Sequence, residues 1–103
     1  MSLDICVIKE GIEVVSKDIT HNLKAMWKEA GVYDALYDSD GKMPSEVLPA
    51  LEKGLSEMAD DPERFKKFDS PNGWGKYKHA LPWLQDLIVE MKKHPDGEIE
   101  LSK

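Results

Sequence analysis

The chain has 103 residues, 41% of them hydrophobic and 33% charged, with a formal net charge of −6. This is the composition of a globular domain rather than a disordered segment, and a chain of this length buries roughly 60–70% of the surface its unfolded form exposes. The acidic balance repels polyanions and disfavours nucleic acid as a partner, with the lysine pairs Lys66-Lys67 and Lys92-Lys93 read as solvated helix surface.

The single cysteine, Cys6, excludes an internal disulfide framework and a cysteine-built zinc cage. Among Ile5, Val7 and Ile8 it reads as a small hydrophobe. No apolar run approaches the roughly 20 residues of a membrane span, and no signal-peptide pattern opens the chain. The expectation is a cytoplasmic protein that makes no use of a membrane.

Two β-branched runs, Ile5 to Ile8 and Ile12 to Val15, flank Glu10-Gly11 and predict an N-terminal hairpin. Asp18 reads as the cap of a helix carrying Ile19, Leu23, Met26, Trp27 and Ala30, with Gly31 ending it. Val32, Tyr33, Leu36 and Tyr37 form a second, shorter helical segment, followed by the polar loop Asp38-Ser39-Asp40-Gly41.

Ser45 to Ala59 is the next helix, with Leu48, Leu51, Leu55 and Met58 on one face and Pro49 placed in its first turn. Asp61 caps, and Pro62 opens, a short helix through Phe65 and Phe68. Trp74, Tyr77, Leu81, Leu84, Ile88 and Met91 then recur at steps of three or four, the spacing of one helix face. The turn Pro71-Asn72-Gly73-Trp74-Gly75 feeds this pattern. Pro82 interrupts it and predicts either a kink near Lys78 or a helix that starts around His79. After Pro95-Asp96-Gly97, Glu98 to Leu101 alternates with Ile99 and Leu101 inward, which predicts a third strand.

Neither the apolar face of the strands nor the helical stripes can be left in water. The expected fold is therefore α+β: a single domain, residues 1–103, with a small three-stranded antiparallel sheet. The sheet comprises the N-terminal hairpin plus the C-terminal strand, covered on one face by three to four helices.

Motifs for most chemistries fail on spacing. Setting Gly41 at the sixth position of a calcium loop puts Leu36 first and Val47 twelfth, where Asp and Glu are needed. His21, His79 and His94 lack helical metal-site spacing, so no metal or cofactor is expected. Asn72-Gly73-Trp74-Gly75 lacks the lysine-serine ending of a phosphate loop.

Two stretches stand out. Thr20-His21-Asn22 puts three hydrogen-bonding side chains at the start of a core helix, and Asn72-Gly73-Trp74-Gly75 holds an indole between glycines. In one reading His21 and Asn22 lock this turn against the first helix, with Trp74 filling the core. In the other, His21, Asn22, Asn72, Trp74 and Tyr77 line a shallow pocket for a ligand or partner, with the two aromatics as walls. His21 is then the proton carrier suited to neutral pH.

Ile19-Thr20-His21-Asn22, Ala30-Gly31-Val32-Tyr33, Asp61-Pro62 and Asn72-Gly73-Trp74-Gly75 with Tyr77 follow one another in that order. This arrangement resembles a group of small uncharacterised bacteriophage and bacterial proteins over most of the chain from Ile19 to Leu101. Lys24 stands where that group often has glycine, and Pro82 interrupts a helix that usually has none. The resemblance implies a phage or prophage origin and no particular mechanism. The functional expectation is a non-enzymatic module that binds a protein partner or a second copy of itself. The alternative is a small-molecule-binding protein or enzyme built on the His21, Asn22, Asn72 and Trp74 pocket.

Overall fold

A computed structural model of the chain describes residues 2–71 and 73–103. The elements, in chain order, are β1 (Ser2–Lys9), β2 (Ile12–Thr20), a single 3-10 turn (His21–Leu23), α1 (Lys24–Ala30), α2 (Tyr33–Tyr37), α3 (Pro44–Asp60), α4 (Pro62–Lys66), α5 (Tyr77–Lys92) and β3 (Glu98–Ser102). The fold is α+β, as the patterning predicts, with an antiparallel sheet in the order β2-β1-β3. The helical layer is divided into five α-helices among the described residues.

The hairpin closes through Glu10 and Gly11, whose φ angles of 54° and 77° are both positive, as a two-residue type I′ turn requires. Lys9 pairs with Ile12 across it. A register shift between Val7 and Ile8 leaves Val14 as the extra residue of a β-bulge, so Val15 rather than Val14 pairs with Val7 and is buried. Leu3, Ile5 and Val7 alternate inward, and β3 adds the fully buried Ile99.

The second strand runs further than its apolar run suggests. Asp18 and Ile19 remain in β2, opposite Asp4 and Leu3, instead of opening a helix. Lys17 masks the alternation: it occupies an inward position opposite Ile5, and its ammonium pairs with Asp86 of α5. The cap is Thr20, whose Oγ1 accepts a hydrogen bond from the Asn22 amide at 3.2 Å, and α1 begins only at Lys24.

Both interior prolines sit deeper in their helices than the sequence suggests. Pro44 opens α3, so Pro49 lies past its first turn, and α5 starts at Tyr77, ahead of His79, with Pro82 well inside. The N–H groups of His79 and Ala80 both reach the Lys76 carbonyl at 3.0 Å, which sets the start of α5. Each proline deprives the carbonyl four residues earlier of its partner. Those residues, Ser45 and Lys78, are solvent-exposed, as are Pro49 and Pro82, so water can serve the orphaned groups.

The core lies between the inner sheet face and the helices, with Trp27, Met58, Phe65, Leu84 and Met91 fully buried. Trp27 packs against Trp83 with ring centroids 5.8 Å apart. Arg64 ties α4 to its neighbours, its Nε donating to Glu29 Oε2 at 2.6 Å and its Nη1 to Glu57 Oε1 at 3.1 Å. None of the helices among the described residues is long and apolar enough to cross a membrane.

Candidate functional site

The end of β2 and the loop before α5 meet on one side of the molecule. Thr20 is extended (φ −62°, ψ 146°), and the 3-10 turn behind it sends Leu23 into the core at 0% exposure. That fixes His21 half-buried and Asn22 exposed on the outer side of the turn. Asn22 Nδ2 donates to the Trp74 carbonyl oxygen at 3.1 Å, and this bond joins two segments 52 residues apart.

Gly75 allows the close approach. Its φ is +98°, and a Cβ placed on it would stand 3.0 Å from Asn22 Cβ and 3.3 Å from Thr20 Cγ2. The loop closes on itself where the Ser70 amide donates to the Gly75 carbonyl at 3.1 Å. Asp69 Oδ1 accepts from the Tyr77 amide at 2.6 Å, which fixes where the loop becomes helix.

These segments enclose a surface pocket of about 740 Å³ lined by Ser2, residues 18–23, residues 73–75 and His79. Its size is that of a small-molecule or side-chain site. Trp74 forms its wall and stays 69% exposed, so the indole is presented to solvent rather than packed in the core. Trp83 Nε1 donates to the Asp18 carbonyl at 3.0 Å and holds α5 against the strand end beside the pocket.

His21 has one nitrogen committed. Its Nδ1 lies 2.9 Å from the Tyr37 hydroxyl, with the rings tilted at 40° and 5.7 Å apart. Burial, with Lys24 beside it, pulls the imidazole below its ordinary value, so it is neutral at pH 7. Burial, aided by Tyr33, pushes the Tyr37 phenol up to about 12, so its proton is retained. The pair therefore shares one neutral hydrogen bond, and Nε2 is the nitrogen His21 has left for an occupant.

The candidate residues are thus partly brought together. His21, Asn22 and Trp74 line the pocket. Tyr77 does not: it is buried, and its hydroxyl donates to the Met58 carbonyl at 2.6 Å, which makes it a strut of the core. Asn72 lies outside the described residues. Sequence reasoning passes over Asp18 and His79, both pocket-lining, and Tyr37, which orients His21. Asp18 is hidden by its cap-like context. No sequence signal pairs Tyr37 with His21. Among the described residues, no three His, Cys, Asp or Glu side chains are grouped to hold a metal ion.

No family model, curated protein or solved structure matches the chain. The site is read from its geometry.

Proposed function

We propose that the chain is a protein-interaction module of phage or prophage derivation that acts in the cytoplasm, and that the pocket beside Trp74 receives its partner. The observation that carries this reading is the presentation of Trp74. A large indole is held 69% exposed at the rim of a pocket, on a loop pinned by Asn22 and closed by the Ser70–Gly75 bond. Exposed tryptophan on a pre-ordered frame is the kind of anchor that dominates interface energetics, because little conformational freedom is lost on binding. The ordered motifs from Ile19 to Tyr77 support the phage or prophage origin.

A small-molecule ligand is the second reading, favoured by the pocket volume and by His21 Nε2. It would use His21 and Asn22 for orientation and the indole for stacking.

Random-peptide display on the parent protein, counter-selected on Trp74→Ala, separates the two. The interaction module predicts enriched peptides that lose binding to Trp74→Ala. Enrichment indifferent to Trp74, or no enrichment at all, contradicts it.

A further inference from the structure

We infer that the partner is a basic, extended protein segment that packs an arginine or lysine side chain on Trp74 beside Asp18 and continues over the sheet face the helices leave open. This rests on the interaction-module reading and specifies the partner's charge and path.

The helices cover the face carrying Leu3, Ile5 and Val7. On the opposite face, β1 presents Asp4, Cys6 and Ile8; β2 sets Asp18, Ser16 and Glu13 opposite them, and β3 sets Ser102, Glu100 and Glu98. This register places five carboxylates and neither a lysine nor an arginine on the open face. Asp4 stands directly opposite Asp18, an arrangement in which like charges destabilise a strand pair.

Among the described residues, seven acids elsewhere in the chain are compensated, and eight are not. Asp86, Asp96, Glu29, Glu52, Glu57, Glu63 and Glu90 all take part in ion pairs. Among the described residues, Asp4, Glu13, Asp18, Glu98 and Glu100 form none. The open face therefore carries uncompensated negative charge around a part-buried centre of Cys6 and Ile8. Burial, with Glu13 and Asp4 nearby, pushes the Cys6 thiol up and keeps that centre uncharged.

Asp18 belongs to both surfaces, since it lies on this face and lines the pocket. A cation in the pocket has an indole and a carboxylate among the lining residues, a combination that favours guanidinium or ammonium groups. The neutral His21 adds no repulsion. The charges are spread along strands rather than grouped for a metal ion. The eight residues of β1 extend roughly 26 Å, the reach of an extended peptide with several cations and more than a short polyamine covers. An apolar centre ringed by acids likewise suits a peptide backbone with basic side chains.

The test is an amide and indole NMR titration at low ionic strength with an Arg-Ser repeat decapeptide, its Gln-Ser counterpart and spermine. Four proteins are compared: the parent, Asp4→Asn with Asp18→Asn, Trp74→Ala, and the charge-matched control Glu52→Gln with Glu63→Gln on the helical side. The Asp4/Asp18 variant removes a like-charge pair, so it keeps its fold. The basic peptide is expected to shift Cys6, Ser16, Glu100 and the Trp74 indole. Binding should weaken roughly tenfold in the Asp4/Asp18 and Trp74 variants relative to the control, the size of loss at an interface anchor.

Equal weakening in the control, equal binding of the Gln-Ser peptide, or equal binding of spermine overturns the inference. Display peptides that need Trp74 but have no excess of arginine and lysine also overturn it, while leaving the module reading in place. Binding to the sheet face that persists unchanged in Trp74→Ala overturns the pocket as anchor and the module reading with it.

Discussion

His21 Nδ1 and the Tyr37 hydroxyl lie 2.9 Å apart, joining the turn after β2 to the last residue of α2. The bond orients an imidazole at the pocket and gives a buried phenol its partner. Loss of Nδ1 strands that hydroxyl, which is the more expensive way to break a hydrogen bond.

Tyr37 should titrate late. Its phenol is pushed up to about 12 from 10.0 in the unfolded chain, so the native state holds the proton more tightly. The stability this contributes is whole below pH 10 and is lost as pH rises through 12. Alkaline absorbance titration should show a phenolate step near pH 12 that Tyr37→Phe removes.

His21 acts at the other end of the pH scale. Its folded value lies below the ordinary 6.5, so the unfolded chain binds more protons just below that pH. The stability held in the neutral imidazole is present above pH 6.5 and is lost as pH falls through the lowered folded value. Urea unfolding from pH 7 to pH 5 should show a steeper loss in the parent than in His21→Asn.

Tyr77 is a structural residue in this fold. Its hydroxyl donates to the Met58 carbonyl at 2.6 Å between α5 and α3, in a buried setting. Tyr77→Phe should lose about 1–2 kcal/mol in denaturant unfolding. It should leave binding at the pocket unaffected.

Gly54 lets α3 pass close to Ala30 and Val32. A Cβ there would collide with Val32 Cγ1 and stand 2.9 Å from the Ala30 carbonyl oxygen. The helix gain from alanine is about 1 kcal/mol, smaller than the repacking it forces. Gly54→Ala should be destabilised by about 1–2 kcal/mol net, and thermal unfolding would register it.

The sheet was legible because its signals are local. Glu10-Gly11 marks the hairpin, and Ile99 and Leu101 alternate as a strand must. Helix starts were harder to read where a tertiary partner overrides the local pattern. Lys17 looks solvent-facing in sequence and points inward because Asp86 waits on α5. Trp74 shares helical spacing with Tyr77 and Leu81, yet its flanking glycines at positive φ keep it in the turn.

The pocket shows the same division. Local sequence context flagged His21, Asn22 and Trp74, along with Asn72 and Tyr77, because polar groups at a core-helix start and an indole between glycines are unusual. Asp18, Tyr37 and His79 join them only through the path of the chain. Neighbours brought together by β2 running on to Thr20 leave no mark in the local sequence.

The most direct test of a presented Trp74 is denaturant unfolding of Trp74→Ala beside the parent. An indole held at the surface for a partner should leave stability within about 0.5 kcal/mol of the parent. A loss of about 3–5 kcal/mol, the signature of a tryptophan removed from a core, would contradict it.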